Sequence, residues 1–251
     1  MSSSTWTPHA VASEAAACTL DLWRAVEAQH KVATRALVDS LEEQEILETV
    51  LERSKPPIPA ECSRYDYLLY TPFRYPPPAY GSRFRAYGDA GVWYGAEAIR
   101  TSCAEVGYWR WRFVADSRGL SRLDGVAHTI FQATAQGLAI DLRAGPFVGE
   151  GQIWRNPNDY SGCQAFARIA RQAQTRIIRY ASVRDPEHAG CAAVLDCRAF
   201  ASAGGARRRQ TWFLTVDSER ASWVRAGGRR SETHEFVFSS SAQGKIKHGM
   251  K

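Results

Sequence analysis

YTPFRYPPPAYGSRFRAYGDAGVWYGAEAIRTSCAEVGYW, residues 70–109, holds the densest run of chemically committed side chains in the 251-residue chain. Four arginines fall in it, together with several tyrosines and Glu105. Arg83 follows Arg74 by nine residues, Tyr94 follows Arg83 by eleven, and Glu105 follows Tyr94 by eleven. Three consecutive prolines and Gly81 make Tyr75 to Arg85 a stiff loop, which loses little entropy on gripping a ligand. Arg74 and Arg83 flank it, and a guanidinium on such a loop suits the forked acceptors of a pyrophosphate. The same arginines could equally hold their own loop by bonding its carbonyls. Tyr75 and Tyr94 could stack on a flat ring such as nicotinamide or adenine, or fill the core. Glu105 sits near the end of a helix expected over Glu97 to Gly107. A fixed carboxylate there can hold a ribose hydroxyl and stabilise the charge that grows on a sugar as its glycosidic bond breaks. Its plainer reading is a surface carboxylate paired with an arginine such as Arg110.

A second stretch, DYSGCQAF from Asp159 to Phe166, opens a helix expected over Gly162 to Gln174. Ser161 is either its N-cap or a ligand-orienting hydroxyl at a helix start, where free N–H groups seat a phosphate or a polarised carbonyl. Ser182, in RYASVRDP, is a further candidate, with Arg184 and Asp185 beside it suggesting a turn. Other chemistries lack their signatures. There is no G-x-S-x-G, no G-x-G-x-x-G after a strand, and no P-loop. The six cysteines form no C-x-x-C pair and the histidines no H-x-x-x-H, so no metal site is expected and the thiols read as reduced.

Working outward, Val11 to Arg53 reads as helical: it lacks proline and glycine and spaces its apolar residues by three and four. Pro56, Pro57 and Pro59 end it. Tyr65 to Phe73 reads as a strand, Val92 to Tyr94 as a short strand, and Tyr108 to Val114, with aromatic and arginine residues alternating, as a half-buried strand. Further strands are expected at His128–Phe131, Leu138–Leu142, Arg176–Tyr180, Ala192–Phe200, Thr211–Val216, Ser222–Arg225 and Glu235–Phe238, with Gly204 to Gln210 a basic turn. Many short strands with two internal helices predict an α+β fold with a mixed or antiparallel β core and an N-terminal helical extension. The expected divisions are 1–58 for that extension, 59–240 for the main domain and 241–251 for a polar tail.

With 45% hydrophobic and 23% charged residues the chain has a globular composition. Its net charge of +6 is carried mostly by arginine. No apolar run is long enough to span a membrane, and the N-terminus lacks the basic and apolar regions of a signal peptide, so a cytoplasmic protein is expected.

The grouped pattern resembles the RES domain, a family of bacterial toxins with an ADP-ribosyltransferase-like fold. Arg74-Tyr75 is similar to the family's Arg-Tyr pair, and Gly81-Ser82-Arg83-Phe84 resembles its GGRW loop, with Ser82 and Phe84 departing from it. Trp93-Tyr94-Gly95-Ala96 and Glu105 resemble its V-Y-x-A strand end and its glutamate. Asp159 to Ala165 is similar to its D-[YW]-S-[AG]-C-Q-A helix start. The match covers roughly residues 65–200, and the N-terminal segment is similar to that of the ParT-like branch. The resemblance implies NAD+ as substrate and no metal. Glu105, Arg74 and Ser161 would serve catalysis, and Arg74, Tyr75, Arg83, Tyr94 and Ser161 would bind the dinucleotide. Nicotinamide would be lost and ADP-ribose passed to water, phosphate or a cellular protein. An Xre-like antitoxin would be the partner, and this chain alone would not bind nucleic acid. Two alternatives stand beside it. One is a non-enzymatic nucleic-acid-binding module using Tyr108 to Phe113, YWRWRF; the other is a hydrolase of another phosphosugar nucleotide.

Overall fold

Leu123–Asp141 forms a single 19-residue strand that serves as the spine of the sheet. We describe residues 6–28, 37–201, 205–227 and 232–238 of the structure, a computed structural model. In chain order the elements are α1 (Pro8–Glu14), β1 (Ala16–Glu27), α2 (Leu41–Ser54), α3 (Tyr67–Arg74), β2 (Trp93–Ala96) and α4 (Ile99–Asp116). There follow β3 (Leu123–Asp141), α5 (Ser161–Gln172), β4 (Ile177–Ala181), β5 (Gly190–Val194), β6 (Arg207–Val216), β7 (Arg220–Arg225) and β8 (Thr233–Val237). The architecture is α+β, as the pattern predicts: one eight-stranded sheet in the order β1-β2-β5-β4-β3-β6-β7-β8, with β1 also paired to β3. That extra pairing closes β1, β2, β5, β4 and β3 into a ring, and β6 to β8 extend from it as an antiparallel flap. β3–β4 is parallel, so the chain between them must cross over, and α5 lies in that crossover.

Three apolar clusters hold these layers. α5 and α1 pack with Phe84, Phe147, Ile140 and Ile178 on one side. α3 packs with Leu22, Trp93, Phe131 and Phe200 on another. α4 covers Trp212, Leu214 and Trp223 of the flap.

Several elements differ from expectation, each for a local reason. The helical expectation for Val11 to Arg53 is corrected: Ala16–Glu27 is β1, a strand of the common sheet, so segment 1–58 is not helical throughout. Its inward phase Leu20, Leu22, Val26 was masked because Trp23 and Ala25 on the other phase also pack against core. Residues 29–36 and the tail from 239 lie outside the described residues. Tyr65 to Phe73 is not a strand but α3, capped by the Asp66 carboxylate accepting from Leu68 N at 2.9 Å. Pro72 within it lacks an N–H, and the Leu68 carbonyl instead accepts from Trp93 Nε1 at 3.2 Å. Tyr108 to Val114 is the second half of α4, whose buried Ala104, Gly107, Tyr108, Trp111 and Val114 follow helical spacing. Arg207–Gln210, expected in a turn, begins β6, and β5 stops at Val194 before a 3-10 turn at Cys197–Ala199.

The expectation of six reduced thiols is also corrected. Cys62 and Cys197 form a disulfide across 135 residues, joining the turn before α3 to the turn after β5. A cross-link over so long a loop restricts the unfolded chain strongly, an effect of about 2–5 kcal/mol. Cys62→Ala or reduction should therefore lower the melting temperature by several degrees, read by calorimetry with and without reductant; identical melting curves would contradict the cross-link.

Buried histidines give the fold an acid limit. His128 is fully buried, its Nδ1 2.9 Å from the Val126 carbonyl and its ring edge-on to Trp223. Burial holds its pKa below the ordinary value, and His234 is shifted the same way for the same reason. The folded chain then binds fewer protons than the unfolded one, so stability is complete above about pH 6.5 and falls as pH drops below it. Denaturation midpoints should be lower at pH 5.5 than at pH 7.5, and His128→Gln should reduce that difference. An unchanged difference would assign the pH dependence elsewhere.

Candidate functional site

The loop after the prolines closes on itself. Gly81 sits at φ +70°, and a Cβ there would lie 2.3 Å from the Arg85 carbonyl, so only glycine fits. Ser82 N donates to Arg85 O at 2.7 Å and Arg85 N to Ser82 O at 3.2 Å. Gln164 of α5 donates to the Ser82 carbonyl at 3.0 Å, joining the two motifs of the sequence. Phe84 is buried against Tyr180, and Arg83 is buried with its guanidinium over the Tyr160 ring. Its guanidinium donates to the carbonyls of Trp154 (2.9 Å) and Asn156 (3.0 Å) and lies 4.6 Å from the Tyr160 ring centre. Burial works against that charge, but the surrounding Tyr160, Cys163, Tyr180 and Glu105 more than offset it and hold Arg83 above its ordinary pKa.

Tyr94 of β2 pins the loop from below. Its phenol oxygen accepts from Phe84 N at 2.9 Å and contacts Ser82 Oγ at 2.8 Å. Burial pushes this phenol up to about 12, so it is neutral near pH 7. Arg24 of β1 donates to the Tyr94 carbonyl at 2.8 Å and lies over the Trp93 ring at 5.3 Å. Burial lowers its pKa to about 10, which leaves it charged near pH 7, and its Nε has no partner among the described residues. Ser102 accepts from Ala25 N at 2.9 Å and so fastens α4 to β1 beside Arg24.

Glu105 lies one turn further along α4, and Ser182 Oγ donates to its Oε1 at 2.5 Å. These groups enclose a cavity of about 360 Å3, within the roughly 300–1,000 Å3 of small-molecule sites. Arg24, Arg83, Arg184 and Glu105 supply its charges, and Tyr80, Tyr94, Trp109, Tyr160 and Tyr180 its rings. Arg184 stands 3.7 Å from the Tyr108 ring centre and donates to Tyr160 Oη at 3.2 Å, bracing the wall between α4 and the start of α5. Cys191 also lines the cavity, but burial and then Glu105 raise its thiol well above the ordinary value, so it is no thiolate nucleophile.

Of the residues expected from sequence, the structure brings Glu105, Arg83 and Tyr94 to one cavity. It does not bring Arg74 or Tyr75 there. Arg74 donates from Nε to the Pro56 carbonyl at 2.6 Å and pairs with Glu52 at 2.7 Å. Tyr75 lies under that guanidinium, and its carbonyl accepts from Arg85 at 2.9 Å. Both tie α3 to α2 and to the loop, the alternative that a flanking arginine always carries. Ser161 is exposed at the first residue of α5, its N–H donating to the Asp159 carboxylate at 2.9 Å, while its neighbour Tyr160 lines the cavity. Ser182 is fully buried and belongs to the site through Glu105. Sequence reasoning missed Arg24, Arg184, Trp109, Tyr160 and Tyr180. Arg24 left a signal: it shares the inward phase of Leu20, Leu22 and Val26, where an arginine is out of place on a buried strand face.

Among the described residues no cluster of His, Cys, Asp or Glu is arranged to hold a metal, and no helix is long and apolar enough to cross a membrane. No curated protein matches the sequence significantly. Among solved structures, the M. tuberculosis MbcT–MbcA toxin–antitoxin complex has a chain that is 13% identical to this one. The alignment covers 82% of this chain and 91% of that one, with a TM-score of 0.48. The family model for the RES domain matches residues 58–217, well over half of the sequence, and the chain therefore belongs to the RES-domain family.

Proposed function

We propose that this protein is a toxin that cleaves NAD+ at the nicotinamide–ribose bond and transfers ADP-ribose to water, phosphate or a protein side chain. The observation that carries this reading is one carboxylate, Glu105, and three arginines lining the same cavity, together with several aromatic rings. Arg24, Arg83 and Arg184 outnumber Glu105, which favours a ligand bearing two phosphate charges. The rings offer flat surfaces for nicotinamide or adenine. Membership of the RES-domain family supports the reading, and with it a partner antitoxin that restrains the toxin.

The chemistry follows from the placement of charge. The bond from ribose C1′ to the pyridinium nitrogen breaks, its electron pair leaves with nicotinamide, and the ring departs neutral. Positive charge develops at C1′ and O4′, and the Glu105 carboxylate stabilises it while holding a ribose hydroxyl. The arginines grip the pyrophosphate and contribute position rather than bond-making. An acceptor oxygen or nitrogen then bonds to C1′ and gives its proton to solvent. Tyr94, neutral at its raised pKa, shapes the floor through its bonds to Phe84 and Ser82.

The nucleic-acid alternative loses its motif. YWRWRF lies on a helix, Trp111 is buried, Arg110 pairs with Glu27, and Arg112 pairs with Asp116. Its arginines are therefore largely neutralised rather than presented as a basic patch.

Purified protein incubated with NAD+ should release nicotinamide, measured chromatographically. Glu105→Gln should lower kcat by about 100-fold or more, with KM changed far less. Arg24→Ala should chiefly raise KM. Equal, negligible release by wild type and Glu105→Gln, together with a salt-sensitive gel shift on nucleic acid, would replace this function with the binding alternative.

A further inference from the structure

Beneath Glu105 lies a buried carboxylate with no contact to the cavity. Asp185 is fully buried, and its two oxygens are occupied. Thr101 Oγ1 donates to one at 2.8 Å; Arg100 and, at 3.1 Å, the Glu187 N–H donate to the other. Thr101 and Glu105 are four residues apart on α4, on the same helical face. Asp185 thus clamps the turn Ser182 to His188 onto the helix that carries Glu105. The turn is closed further by His188 N donating to Asp185 O at 2.8 Å and by the His188 ring against the Ser182 carbonyl at 2.8 Å.

The consequence falls on Ser182. Its hydroxyl oxygen accepts from Asp185 N at 2.9 Å and from Arg184 N at 3.2 Å. A hydroxyl has two acceptor positions and one proton. With both acceptor positions taken by amide donors, the proton has one direction left, toward Glu105 Oε1 at 2.5 Å. The geometry points to Asp185 as a positioning residue: anchored on Thr101 and Arg100, its carboxylate holds the turn that makes Ser182 a one-way donor to Glu105. The effect is to fix one oxygen of Glu105, a residue that lines the cavity. Breaking the anchor frees the turn, lets the Ser182 hydroxyl rotate, and allows Glu105 to swing. This inference rests on the reading of Glu105 as the group that stabilises the sugar cation.

The test is a double-mutant cycle with nicotinamide release as readout and melting temperature as control. Thr101→Val removes one anchor without adding charge, and Asp185→Asn weakens both. Each should lower kcat by about tenfold while KM stays within about twofold, as expected for a misplaced catalytic group. In a Ser182→Ala background the same substitutions should change kcat by less than about twofold, because the contact they position is already gone. Thr101→Ser should restore wild-type kcat. If Asp185→Asn fails to fold, the Thr101 series carries the test alone. Multiplicative losses in the double variants, or losses that only track the unfolded fraction, would overturn the positioning role. Wild-type protein that releases no nicotinamide would instead overturn the proposed function, and the inference with it.

Discussion

Pairing of β1 with β3 runs unbroken from Ala16↔Ala139 to Glu27↔His128, and the rest of the molecule depends on it. It closes the five-strand ring and brings a segment far upstream in the sequence against β2, through Trp23↔Ala96. That juxtaposition places the Arg24 guanidinium on the Tyr94 carbonyl and the Ala25 N–H on Ser102 of α4. One wall of the cavity is thus built from an arginine some eighty residues before Glu105, which lines the same cavity. Without β1 the cavity would lose a guanidinium and α4 one of its fastenings.

The second constraint is the closed loop Gly81 to Arg85. The two backbone bonds between Ser82 and Arg85, with Gln164 on the Ser82 carbonyl, leave Arg83 with little choice of direction. The guanidinium is then satisfied by two carbonyls on one edge while Tyr160 covers a face. A side chain held in this way loses little entropy on meeting an anion, which is the advantage of a preorganised site. The departures of Ser82 and Phe84 from the family's usual loop find a use here: Ser82 Oγ contacts the Tyr94 phenol, and Phe84 packs against Tyr180.

Much of this was legible in the residues. The α+β class, the short β2, the start of α4, α5 and the flap strands follow from periodicity and from proline and glycine placement. Glu105, Arg83 and Tyr94 were singled out by residue type and by the resemblance of the grouped motifs to the RES domain, and they line one cavity. What failed shares one cause: local pattern was overridden by partners distant in sequence. β1 packs on both faces, so its period of two was blurred and its alanines read as helix. Residues 108–113 alternate aromatic and arginine residues, yet the flap behind them rewards a helical face through Trp111 and Tyr108. Arg74 carried the right chemistry for a ligand, but Glu52 and Pro56 reach it first. No local signal could have revealed that competition, nor the disulfide between Cys62 and Cys197.

The proposed function requires a dinucleotide to lie across one cavity, with its ribose at Glu105 and its phosphates at the arginines. A crystal structure with a non-cleavable carbocyclic NAD+ analogue tests this most directly. A ribose hydroxyl is expected within about 3 Å of a Glu105 oxygen, and the pyrophosphate against Arg24, Arg83 or Arg184. An analogue bound elsewhere, or with its ribose turned away from Glu105, would contradict it.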